Sequence, residues 1–225
     1  MSCFTDPESV ARYAQGPVRK VPGLDALHKM TTLLLAERAP VDARLLVLGA
    51  GGGLELKAFA QAMPGWNFTG VDPSAEMLAL ARQTLGSQQH RVDWQEGFID
   101  TAPLGPFDGA TCLLTLHFLT AEERLHTLQQ LLLRLKPGAP LVVAHHSFAQ
   151  SPSEKIRWLK RYAAFASAAG DDPGDAERSV TAIGSRLPLL TPAQDEALLQ
   201  AAGFEGVELF YAGFTFRGWV AYKPQ

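Results

Sequence analysis

The chain of 225 residues has only two cysteines, no long apolar run, no block of basic residues and no internal repeat. Cys3 lies near the start and Cys112 inside an apolar segment, which argues against a disulfide framework. No apolar run reaches membrane-spanning length and the start lacks a signal-peptide pattern, so a cytoplasmic protein without a membrane partner is expected. Twenty basic residues against 23 acidic ones give a formal net charge of -3. That balance argues against a broad nucleic-acid surface, which needs a basic footprint. What is present is ordinary for a globular protein: 47% hydrophobic residues, enough to bury the core of one α/β domain.

Strand and helix patterns alternate along the first two-thirds. Apolar strands are predicted at 44–48, 67–71, 91–95, 109–114 and 141–144. Between them the 3.6-residue period predicts helices at 54–63, 74–85 and 121–135, and a further helix at 25–38 precedes the first strand. Ser74 is placed to cap its helix, and Pro137-Gly138 stops the leucine-striped one. Such alternation implies a parallel sheet covered on both faces. After 144 the pattern changes. A helix is expected at 153–169, a polar loop at 170–175, a helix at 193–202, and strands at 207–211 and 215–222 joined through Ala212-Gly213 as a hairpin.

The most informative segment is Leu45-Leu46-Val47-Leu48-Gly49-Ala50-Gly51-Gly52-Gly53. A strand that turns into a helix through glycines at alternate positions lets a ligand lie directly on backbone. The dinucleotide fingerprint needs a glycine where this chain has Leu54. The next strand ends in Asp72, and an acid at that tip typically takes the hydroxyls of a ribose. Together they read as a nucleoside cofactor site.

This glycine run resembles motif I of the class I S-adenosylmethionine (SAM) dependent methyltransferases. Asp72-Pro73-Ser74-Ala75-Glu76-Met77-Leu78 is similar to the family's next motif, Lys136-Pro137-Gly138-Ala139 to its turn before strand five, and Gly203-Phe204 to its closing hairpin. The resemblance implies a Rossmann-like, seven-stranded, mostly parallel sheet in the order 3-2-1-4-5-7-6, the last strand antiparallel, with helices on both faces. It implies one domain over 1–225, with an N-terminal helical cap at 1–40 and a helical insertion or lid at 151–190. It also implies SAM as cofactor and S-adenosylhomocysteine as product. Gly49, Ala50 and Gly51 would pass the methionine part, Asp72 and Pro73 would meet the ribose, and Met77, Gly97 and Phe98 the adenine. Leu114 and Thr115 would flank the sulfonium. Two positions depart from the family: Val47 stands where an acid is common, with Glu55 a nearby substitute, and Phe98 stands where an acid often reads the adenine amine.

Methyl transfer to a small-molecule acceptor is the expected activity. His117, His145 and His146 are the candidate bases, because they follow strands four and five at the carboxyl edge of the sheet. His145 and His146 alternate sides, so at most one faces the cleft. The stretch Leu113-Leu114-Thr115-Leu116-His117 lacks the Asn/Asp-Pro-Pro-Tyr pattern of base and glutamine methylases. Trp158, Tyr162 and Phe165 form an aromatic stripe that either packs on the sheet or covers an apolar acceptor. Val21-Pro22-Gly23, Thr115-Leu116-His117-Phe118-Leu119 and Ala202-Gly203-Phe204 also resemble the carboxy-SAM synthase branch of tRNA wobble-uridine modification, which implies Arg178 or Arg186 holding the extra carboxylate; a SAM-fold protein without catalysis and assembly as a homodimer stay open too.

Overall fold

The five apolar runs of the first two-thirds become parallel strands that stop at the same edge of one sheet. The computed structural model describes residues 16–170 and 172–225, so Cys3 lies outside the described residues. The strands are β1 (Arg44–Leu48), β2 (Asn67–Asp72), β3 (Val92–Glu96), β4 (Gly109–Leu113), β5 (Pro140–His146), β6 (Glu205–Gly213) and β7 (Phe216–Tyr222). Their order is β3-β2-β1-β4-β5-β7-β6. β7 runs antiparallel to both β5 and β6, and the remaining pairings are parallel. This is the expected Rossmann-like topology.

Eight α-helices are described: α1 (Gly16–Lys20), α2 (Leu24–Ala36), α3 (Leu54–Ala62), α4 (Ala75–Leu85), α5 (Ala121–Arg134), α6 (Pro152–Ala168), α7 (Pro173–Arg186) and α8 (Pro192–Ala201). Two cores flank the sheet. Leu27, Leu35, Phe59 and Tyr162 belong to one, which joins α2, α3, α4, α6 and α7. Leu128, Leu131, Leu199 and Trp219 belong to the other, under α5 and α8. Side chains of this size contribute roughly 1.5–3 kcal/mol each when fully buried.

Three boundaries differ from expectation. β5 runs two residues further than the apolar pattern, to His146, because β7 pairs with it as far as Phe216. The segment at 170–175 is not a continuous loop: α7 starts at Pro173, with the Asp172 carboxylate accepting a hydrogen bond from the Gly174 N–H at 2.8 Å. Proline is well suited to a first helical turn, which the polar composition concealed. The hairpin turns at Phe214 and Thr215, not at Ala212-Gly213, and Phe214 takes a left-handed φ of 48°.

The return from the insertion is fastened by a buried charge network. Arg124 of α5 is 0% exposed and pairs with Asp195 of α8 at 2.7 Å. It also donates to the carbonyls of Pro188 (2.6 Å) and Leu119 (3.0 Å). Burial pushes the Asp195 carboxyl up, but His145, Ser147 and Arg124 together hold it below the usual carboxylate range. Removing one partner of such a pair strands a buried charge. Arg124→Ala is therefore expected to cost about 3–5 kcal/mol in urea unfolding, and Arg124→Met with Asp195→Leu to recover most of it. Equal stability of Arg124→Ala and the unmodified chain would refute this role.

Candidate active site

The loop after β1 is shaped by close packing. Gly49 and Gly53 have φ of 78° and 79°, the left-handed region that favours glycine. A Cβ on Gly49 would lie 2.0 Å from the Thr115 hydroxyl, and one on Gly53 would lie 2.8 Å from the Ala81 Cα. Two of the glycines therefore make room for the loop after β4 and for α4, in addition to leaving backbone open. The Gly49 and Ala50 N–H groups donate to the Val71 carbonyl at 2.8 and 3.0 Å.

Asp72 ties this loop to the next. One carboxylate oxygen accepts from the Gly51 N–H at 2.9 Å and the other from the Ser74 N–H at 3.0 Å. Burial raises its pKa, and the bonds from Ser74 and Gly51 oppose that rise. Ser74 caps α4 as predicted, accepting from the Met77 N–H at 3.1 Å. The Asp72 carbonyl accepts from the Gly97 N–H at 3.0 Å. Met77 and Ala50 are buried, Pro73 is exposed, and Phe98 presents half its surface at the same edge. The structure thus brings Gly49, Ala50, Gly51, Asp72, Pro73, Met77, Gly97 and Phe98 to one end of the sheet.

A cleft opens beside the glycine loop, lined by Pro17, Leu24 and His28 from α1 and α2, the loop from Gly49 to Glu55, and Leu113 with Leu114. The cavity there is small, about 30 Å³. Leu114 holds a φ of 57°, a left-handed conformation that costs a non-glycine residue roughly 1–2 kcal/mol. Thr115 closes the turn, its hydroxyl donating to the Leu113 carbonyl at 3.0 Å. Sequence reasoning missed His28. It stands on the apolar face of α2 with Leu24, Leu27 and Leu35, edge-on to Phe59, and burial lowers its pKa to about 4 against the pull of Asp25. Its signal was a lone histidine in an apolar helical stripe.

The three candidate histidines separate. His145 faces α5 and α8, its Nε2 3.2 Å from Asp195 and its ring against Trp219, so the structure does not bring it to the cleft. His146 faces the other layer, stacked on Phe216 with Nδ1 2.9 Å from the Thr215 hydroxyl. His117 lies beside it, ring centroids 4.8 Å apart, accepting from the His146 N–H at 3.5 Å. Both are buried and neither lines the cleft. Burial, and then the neighbouring His145, brings His146 down to about 3. Burial and the adjacent histidines hold His117 well below its ordinary value. The aromatic stripe packs rather than hangs free: Tyr162 on His146 and Phe216, Phe165 on Phe214, and Trp158 near Arg217.

Residues 46–141 match the model of a methyltransferase domain. The chain is 30% identical over 222 residues to the carboxy-S-adenosyl-L-methionine synthase of Chromohalobacter salexigens, an alignment spanning 97% of this chain and 82% of that protein. It belongs to the class I SAM-dependent methyltransferases. Solved structures agree on the fold. A candidate O-methyltransferase from Nostoc punctiforme superposes with a TM-score of 0.70 at 20% identity, over 96% of this chain and 60% of that one. Human N-acetylserotonin methyltransferase in complex with SAM superposes at 0.63 and 19%, over 98% of this chain and 57% of that one. This methyltransferase is thus an enzyme that uses SAM. Among the described residues no helix is long and apolar enough to cross a membrane.

The buried histidines give the methyltransferase a predictable acid response. Their folded pKa values lie below the unfolded value of about 6.5, so the unfolded chain binds more protons below that pH and stability falls as the pH drops. Glu55, raised to about 8, acts oppositely and offsets about one histidine between its unfolded value and pH 6.5. Urea unfolding at pH 6 and 5 is expected to show a falling stability, and His146→Phe to reduce the slope by about 1.4 kcal/mol per pH unit. An unchanged slope in the variant would count against a buried neutral His146.

Proposed function

We propose that this enzyme transfers the methyl group of SAM to a small, largely apolar acceptor bound at the carboxyl edge of the sheet. The reading rests on the composition of the cleft. It places a backbone turn and the buried carboxyl of Glu55 beside the end of β4, and none of its described lining residues is Arg or Lys. Those groups suit a nucleoside with a cationic tail. In this reading Asp72 and Pro73 meet the ribose, Met77, Gly97 and Phe98 the adenine, and Gly49 to Gly51 with Leu114 and Thr115 the methionine end.

When bound, SAM supplies a methyl group already activated by its sulfonium. The chain's task is then alignment and exclusion of water. The strained Leu114 and the glycine loop fix two walls of the cleft. His117 and His146, both neutral and weakly basic, position the end of β5 and the stripe of α6 instead of taking a proton. Phe118 and Phe214, partly exposed near the same edge, give an apolar acceptor a surface to lie on. His145 serves the ion network under α8.

The similarity to carboxy-SAM synthases supports a second reading, in which the bound nucleoside carries an extra carboxylate. Arg178 and Arg186, the residues that would hold it, are exposed on α7 and do not line the cleft. The Glu55 carboxyl also disfavours a further anion there. Mass spectrometry of nucleosides retained by the purified protein separates the two. The methyltransferase reading expects SAM or S-adenosylhomocysteine, and S-adenosylhomocysteine formation with small hydroxyl or amine acceptors. A carboxylated nucleoside would replace it with the second reading. Asp72→Ala is expected to weaken SAM binding at least tenfold by calorimetry, since two charge-assisted bonds, from Gly51 of the glycine loop and from Ser74 at the start of α4, are lost. Undiminished affinity would remove Asp72 from the site.

A further inference from the structure

Among the described residues, Glu55 is a carboxyl without a cation. It stands in the first turn of α3, is 7% exposed, lines the cleft, and accepts a hydrogen bond from the Thr111 hydroxyl at 2.8 Å. Among the described residues no arginine or lysine pairs with it. Thr111 is the register partner of Val47, so the carboxyl reaches a buried point between β1 and β4, under the glycine loop. A carboxyl at such depth normally brings its own partner, because an unpaired buried charge is strongly unfavourable.

The groups around it confirm the deficit. Asp72 at the end of β2 disfavours a second negative charge at Glu55, and Cys112 on β4, whose thiol burial and then Glu55 push up, offers no cation. His28 lines the same cleft from α2, while Asp25 and Lys29 of that helix are exposed. On α4, Glu76 bonds Ser74 and Arg82 lies over Trp94. On α1, Arg19 reaches the Gly170 carbonyl at 3.5 Å, and Lys57 of α3 itself is exposed.

We propose that Glu55 is the counter-ion for the cationic methionine end of the cofactor. This rests on the cofactor placement given above. Burial, only partly opposed by Thr111, raises the carboxyl to about 8, so at neutral pH it carries a proton in the absence of ligand. A cation arriving beside it favours the carboxylate, and the proton leaves to solvent. Cofactor binding then becomes proton-linked: affinity rises with pH up to about 8 and levels off above it.

Calorimetric titration of SAM at pH 7 in two buffers of different protonation enthalpy reads this directly. The unmodified protein should release close to one proton per SAM bound. Glu55→Gln, which keeps a partner for Thr111, should bind at least tenfold more weakly and release none. Val47→Asp in the Glu55→Gln background places a carboxyl beside the same hydroxyl and should restore at least part of the affinity. Binding without proton release, or an unchanged affinity in Glu55→Gln, overturns the role of Glu55 while leaving the cofactor placement intact. Absence of SAM binding by the unmodified protein overturns both.

Discussion

The last two residues of β2 hold three loops in place. Val71 accepts from Gly49 and Ala50, the Asp72 carboxylate accepts from Gly51 and Ser74, and the Asp72 carbonyl accepts from Gly97. The glycine loop, the start of α4 and the turn after β3 are thereby referred to one strand end. Hydrogen bonds to a buried carboxylate are stronger than neutral ones, and a missing partner exposes the full desolvation cost. Gly49 and Thr115 add a fourth loop by close approach, because nothing larger than hydrogen fits at Gly49. The carboxyl edge is therefore cross-tied on the β1, β2 and β4 side.

Much of this was legible from residue order. Apolar runs ending in glycine or acid located the first strands, Ser74 and Pro137-Gly138 marked a helix start and a stop, and Asp72 stood out as an acid at a strand tip. The polar ends were less readable. His145 and His146 continue β5 because β7 supplies their backbone partners, a pairing across the chain that no local pattern announces. α7 has a polar sequence and begins at a proline that also suits a loop. The glycine run alone implies space for a ligand, whereas Gly49 and Gly53 also make room for Thr115 and Ala81. His28 and the bond between Glu55 and Thr111 depend on tertiary packing, so only the residue types were visible beforehand.

The two layers of the sheet treat charge differently. Under α5 and α8, Arg124 and Asp195 are buried as an ion pair with His145 at its edge. Under α2, α3 and α6 the titratable groups are kept uncharged by burial: His28, His117, His146 and the protonated Glu55. A buried wall of neutral groups is a poor place for an anion and a favourable one for a cation that meets a single carboxyl. That asymmetry links the folding electrostatics to the choice of a sulfonium cofactor.

A crystal structure of the protein with S-adenosylhomocysteine tests the central claim most directly, that the end of β2 organises the cofactor site. The account predicts the ribose hydroxyls on Asp72, the adenine between Met77 and Phe98, and the amino-acid tail along Gly49 to Gly51 toward Glu55. A nucleoside bound elsewhere, or bound in the cleft without contact to Asp72 and the glycine loop, would contradict it.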